Sequence, residues 1–204
     1  MYTGITRGTF PVVQTDRKPD LLTYQVELPE ELLEGLECGA SVSIDGVCQT
    51  VVSIEERRVR FDAISETLSL TTLGDLKEGQ PVAVERSSRV GDEVGGHDVA
   101  GHVSGTGTII SRKVEGNVWD LQIEVPEAWM RYITTKGFIA IDGSSLTVGE
   151  RHPEGSFWIH LIPETVRLTN LGAKKEGDRV NIELDARTVA IVDTVERVLA
   201  EREK

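Results

Sequence analysis

Two cysteines, Cys38 and Cys48, are all the chain holds. That is too few for a disulfide framework and suits a reducing compartment, with a single bridge left open. Aromatic residues make up only 5%, so the core has to come from Val, Ile, Leu and Ala. Basic residues are outnumbered: 22 Lys and Arg face 34 Asp and Glu, a formal net charge of −12 spread along the sequence. Such a field repels phosphate backbones and anionic lipid, which argues against nucleic-acid and membrane partners. No stretch approaches the ~18 apolar residues of a membrane span. The opening MYTGITRGTF has no basic region ahead of an apolar run, so it does not read as a signal peptide. The expectation is a cytoplasmic protein of 204 residues, long enough for two domains.

What is present is an internal repeat. ISETLSLTTLGDLKEG (64–79) aligns with IPETVRLTNLGAKKEG (162–177), identical at ten of sixteen positions. IDGVCQTV (44–51) aligns with IDGSSLTV (141–148), and GITRGT (4–9) with GHVSGT (101–106). Three blocks in one order mean a duplicated globular unit. Within each copy the hydrophobic period is two, as in Tyr24, Val26, Leu28 and Phe157, Ile159, Leu161. Short half-buried strands between turn residues predict an all-β fold of two small antiparallel barrels or sandwiches, about six strands each. Residues 28–36 and 125–134 are expected to form one short helix apiece after a proline. Residues 186–204 switch to helical spacing, with Ile191, Val195 and Val198 on one stripe. Pattern alone leaves open whether that stripe packs on its own barrel or on another chain.

The densest polar stretch, GDEVGGHDVAGHVSGTG (91–107), carries His97 and His102. They are not at helical i, i+4 spacing and have no intervening Glu, so no metal site is expected. His102 stands where the first copy has Ile5 and is the candidate proton carrier. Cys48 faces Ser145 across the repeat, while Thr50 matches Thr147 and Thr67 matches Thr165. Shared small polar residues suggest two equivalent ligand pockets; each residue also has a plain structural reading, Cys48 as a small buried filler among them.

Through MYTGITRGT, DGVCQTV, ETLSLTTLGDLKEG, GGHDVAGHVSGTG, KGFIAIDGSSLTV, IPETVRLTNLG and VDTVERVL, the sequence resembles the riboflavin synthase family of the trimeric alpha-chain type. The resemblance implies two tandem six-stranded Greek-key barrels, at 1–90 and 91–186, and a trimerisation helix at 187–204. It implies a cofactor-independent dismutation of two 6,7-dimethyl-8-ribityllumazine molecules, giving riboflavin and 5-amino-6-ribitylamino-uracil. Active sites would form between neighbouring subunits of a homotrimer, with room for a complex with lumazine synthase. The alternative is a non-catalytic lumazine or flavin binder of the same fold. For chemistry the resemblance points to His102, Cys48, Ser145, Thr147, Asp185 and Ser41. For a first substrate pocket it points to Gly4, Ile5 and Thr6 with Cys48, Gln49 and Thr50, and to Asp62, Ala63, Ile64, Ser65, Glu66 and Thr67. For a second it points to Gly101, His102, Val103 and Lys136 with Ser145, Leu146 and Thr147, to Leu161, Ile162, Pro163, Glu164, Thr165 and Val166, and to His97. Gln49, where the second copy has Leu146, is expected to alter the pocket wall or face solvent. Asp45 replaces a frequent Asn.

Overall fold

The computed structural model describes residues 1–202. In the first copy, β1 (Thr9–Arg17), β2 (Leu21–Glu27), β3 (Ser41–Ile44), β4 (Val47–Glu55), β5 (Arg58–Ile64) and β6 (Pro81–Arg86) close into a barrel in the order β1-β2-β5-β4-β3-β6. Alternation explains the barrel wall: Tyr24 and Val26 on β2 and Val59 and Phe61 on β5 are fully buried, while their polar neighbours face outward. Two one-turn helices interrupt the strands, α1 (Glu30–Leu33) and α2 (Ser65–Leu70).

The second copy contains β7 (Gly105–Glu115), β8 (Val118–Glu124), β9 (Phe138–Ile141), β10 (Ser144–Thr147), β11 (Arg151–His152), β12 (Ser156–Leu161) and β13 (Arg179–Leu184). They form a seven-stranded sheet ordered β10-β9-β13-β7-β8-β12-β11, where six strands in a closed barrel were expected. The extra strand arises because the counterpart of β4 is broken into β10 and β11 around Val148–Glu150. Gly149 and Glu150 still exchange backbone hydrogen bonds with Trp158 (both 2.8 Å), so the wall curls toward closure without a continuous ladder. α3 (Pro163–Leu168) repeats α2, and the region 125–134 holds only a 3₁₀ turn, Glu127–Trp129.

The final helix, α4 (Ala186–Arg202), buries none of its residues. Val189 touches the second core, and Arg131–Glu196 (2.9 Å) and Tyr132–Asp193 (2.5 Å) tether the helix to its own barrel. Ile191, Val195, Val198 and Leu199 stay exposed.

Candidate functional site

The two copies meet across a pseudo-twofold axis, and the polar chemistry gathers around it. Tyr2 and Val99, equivalent in the repeat, exchange backbone hydrogen bonds (2.7 and 3.1 Å). Gly46 and Gly143, also equivalent, touch through their backbones at positive φ (both 82°). Beneath them lie the buried carboxyls of Asp45 and Asp142. Asp45 accepts from Ala83 N (2.6 Å) and Asn170 Nδ2 (2.8 Å), and Asp142 accepts from Asn181 N (2.7 Å). Lys174 Nζ sits 3.4 Å from Asp142.

Burial, and then the Asp142 charge, push the Asp45 carboxyl up to about 8 against the Ala83 hydrogen bond and Lys174. The folded protein therefore binds more protons here than the unfolded chain, whose Asp titrates near ~4, and stability falls as pH rises between those values. Asp45→Asn keeps the carbonyl acceptor and removes the titration. It should match the wild type near pH 4 and gain about 1–3 kcal/mol near pH 8. Urea unfolding at both pH values checks this, and an equal effect at both would contradict it.

The segments that precede β1 and β7 cross between the copies. Ser145 N donates to Gly4 O (2.8 Å) and Thr6 Oγ1 lies 2.9 Å from Ser144 Oγ, so Gly4–Thr6 line the second copy's hairpin. Reciprocally, Cys48 N donates to Gly101 O (2.9 Å), and Val103 packs on the first core. The expected grouping is thus corrected. Gly101 and Val103 lie against the first copy, at Cys48 and its core, whereas Gly4 and Thr6 lie against the second, at Ser145 and Ser144.

Two glutamates that the sequence reading missed fix these crossings. Glu85 accepts from Thr3 N (2.8 Å), Thr3 Oγ1 (2.8 Å) and Gly4 N (3.1 Å). Glu183 accepts from Ala100 N (2.6 Å) and Gly101 N (2.9 Å). Both are raised by burial and drawn back by these hydrogen bonds. Their equivalent places in the repeat, ahead of RSS and LDA, were a usable signal.

Among the named candidates, Ser145 Oγ is 2.6 Å from His97 Nδ1. Cys48 Sγ receives the Tyr2 hydroxyl at 3.2 Å, and Ser41 pairs with Thr50 across β3 and β4. Both cysteines are free. Asp185 accepts from Thr188 N (3.0 Å) and Thr188 Oγ1 (2.6 Å) at the start of α4. Burial raises its carboxyl, but these bonds and His97 leave it below its ordinary range. His102 is exposed beside Cys48's backbone partner, away from Ser145. Lys136 is exposed with positive φ (67°) on the loop into β9.

The expectation for Gln49 is overturned. Its side chain turns into the barrel, accepting from Tyr24 OH (3.2 Å) and donating to Cys48 O (2.9 Å). A buried Gln finds partners there because Tyr24 offers a hydroxyl inside the barrel, where the second copy has the apolar pair Leu121 and Leu146.

Around the rims Asp62, Ile64, Ser65 and Glu66 are exposed, as are Ile162, Pro163 and Glu164, while Thr50 and Thr147 stand exposed on equivalent strands. Ile64 is 56% exposed, Ile162 62% and Phe138 52%, so both copies show apolar surface to solvent.

A duplicated β-barrel protein whose two copies each lay the segment ahead of β1 or β7 on the other's hairpin is the class this arrangement defines. Residues 3–87 and 100–185 each match the lumazine binding domain. Riboflavin synthase of Escherichia coli (strain K12) is 51% identical over 204 residues, covering 100% of this chain and 95% of that one. Riboflavin synthase of Chlamydia pneumoniae is 40% identical over 200 residues, covering 98% of both. Among solved structures, LumP complexed with riboflavin matches with a TM-score of 0.85 at 25% identity, covering 91% of this chain and 100% of that one. LumP complexed with 6,7-dimethyl-8-(1'-D-ribityl) lumazine matches at 0.81 with 26% identity, covering 90% of this chain and 98% of that one. The chain belongs to the lumazine-binding-domain family, with riboflavin synthases among its relatives.

Proposed function

We propose that this chain is a riboflavin synthase. Two molecules of 6,7-dimethyl-8-ribityllumazine bind, one passes a four-carbon unit to the other, and riboflavin and 5-amino-6-ribitylamino-uracil leave. The observation that supports the reading is the doubled lumazine binding domain with its reciprocal crossings: one compound serving as both donor and acceptor calls for two like sites, and a duplicated fold suits that need. The chemistry asks little of the protein. The C7 methyl of the lumazine is acidic because its carbanion delocalises into the ring, so a modest base and a hydroxyl or thiol near C7 suffice. Cys48, Ser145, Thr147, Ser41, His102 and Asp185 fill those roles, and holding two rings face to face supplies much of the remaining rate. No metal or cofactor enters this scheme.

The same reading assigns barrels at 1–90 and 91–186, a trimerisation helix at 187–204, and a cytoplasmic setting in which free cysteines persist. The active centre joins the first pocket of one subunit to the second pocket of its neighbour. Exposed Ile64, Ile162 and Phe138 on the rims and the exposed stripe of α4 support that assembly. A complex with lumazine synthase would feed the substrate in.

The likeness to LumP favours a second reading, a flavin or lumazine carrier without turnover. Incubation with pure 6,7-dimethyl-8-ribityllumazine separates the two. Riboflavin should accumulate, one for every two substrates consumed. Saturable binding without product would establish the carrier.

A further inference from the structure

We propose that His97 is a positioning residue for Ser145, holding the hydroxyl hydrogen so that the remaining lone pairs of Oγ face the pocket. The proposal rests on the riboflavin-forming reading above. His97 Nδ1 lies 2.6 Å from Ser145 Oγ, well within hydrogen-bond distance, and the tautomer of the ring sets which atom donates. The ring is fixed on its other side by stacking on Phe138, with centroids 5.0 Å apart and planes inclined by 16°. The preceding Gly96 is wedged so tightly that a Cβ would fall 2.6 Å from Ser145 Cβ. A cavity of about 290 Å³ opens beside the pair, lined by Val94, Gly96, Asp98, Phe138, Asp185 and Arg187 with His97 itself.

Electrostatics keep the ring neutral. Burial pushes the imidazole down, Asp185 and Asp98 push it up, Arg187 pushes it down again, and the balance falls below the ordinary histidine range. The facing groups from β9 (Phe138) and β10 (Ser145) are uncharged. Of the two neutral tautomers, the positioning role requires the one with the proton on Nε2, in which Nδ1 accepts from the Ser145 hydroxyl. The equivalent place in the other pocket is treated oppositely. Burial and the neighbouring Cys48 push the Tyr2 phenol far up, so Tyr2 stays protonated and donates to Cys48 Sγ at 3.2 Å. One pocket therefore offers an oxygen whose hydrogen is held away, and the other a sulfur that already receives one.

The test compares His97→Phe, which keeps a ring against Phe138, with His97→Asn, which restores an acceptor near the place of Nδ1. His97→Phe should lower kcat for riboflavin formation roughly 10- to 100-fold while the Kd for riboflavin stays within about twofold. His97→Asn should recover most of that rate. In a Ser145→Ala background, His97→Phe should cost nothing further, since its effect runs through the hydroxyl. The wild-type kcat should fall on the acid side as His97 protonates, and His97→Asn should lose that limb. Wild-type turnover by His97→Phe, or an undiminished loss in Ser145→Ala, would overturn the proposal. If the wild type makes no riboflavin, the functional reading fails separately. ¹⁵N spectra of the histidines then decide the inference: a hydrogen-free Nδ1 on His97 that shifts in Ser145→Ala supports it, and an Nδ1–H tautomer overturns it.

Discussion

Ile191→Glu combined with Val195→Glu should leave only monomers of the proposed trimer and cut riboflavin formation by at least about 100-fold. Both side chains project from α4 into solvent, Ile191 65% exposed and Val195 51%, so charge there leaves the single chain's packing untouched. Two glutamates on a buried interhelical seam would each have to be desolvated without a partner, which a helix interface cannot absorb. The tethers from Arg131 to Glu196 and from Tyr132 to Asp193 lie on other positions and keep the helix docked. The thermal midpoint of the barrels should therefore move little, while sedimentation and turnover collapse together. A variant that sediments as a monomer yet keeps its rate would show that one chain suffices. A variant that stays trimeric would move the contact away from this stripe.

Gly46→Ala should be the most destabilising small substitution in the barrel joint. Gly46 has φ of 82°, and a Cβ there would lie 2.9 Å from Gly143 Cα and 3.1 Å from Asp142 C. These are backbone atoms of the opposite copy, so no rotamer change can relieve the clash. The left-handed conformation costs an alanine about 1 kcal/mol by itself, and the overlap brings the total to about 3–5 kcal/mol. For a chain of this size that is about 10 °C in Tm. Gly79→Ala is the control: φ is 79° but no atom lies within 4 Å of the added Cβ, so only the conformational cost of about 1 kcal/mol should appear. Equal losses at the two positions would mean that the close approach of Gly46 and Gly143 carries no strain penalty.

The period-two pattern made the strands readable, because alternation reports one buried face directly; self-comparison showed the duplication, and a 3.6-residue spacing marked the terminal helix. A linear alignment could not say on which barrel Gly4–Thr6 or Gly101–Val103 would lie. That depends on Glu85 and Glu183 gripping the chain and on Tyr2 pairing with Val99, which are contacts between distant segments. The comparison with Ile5 singled out His102, yet His97 reaches Ser145, since it lies outside the aligned blocks where such a contrast can be seen. The helices α2 and α3 are single turns, too short to show a helical period. The break between β10 and β11 follows from local bonding around Gly149, which composition does not reveal. Gln49 read as an anomaly only because its partner Tyr24 lies on another strand.

Mixed trimers test directly whether the working centre pairs the proposed Cys48 pocket of one chain with the Ser145 pocket of its neighbour. Thr50→Trp and Thr147→Trp each fill one pocket from an exposed, equivalent strand position. Either variant alone should be inactive in forming riboflavin. Unfolded together in equal amounts and refolded into mixed trimers, they should recover about a quarter of the wild-type rate, because about one interface in four then joins two open pockets. A mixture as inactive as its components would contradict the account and place both substrates within a single chain.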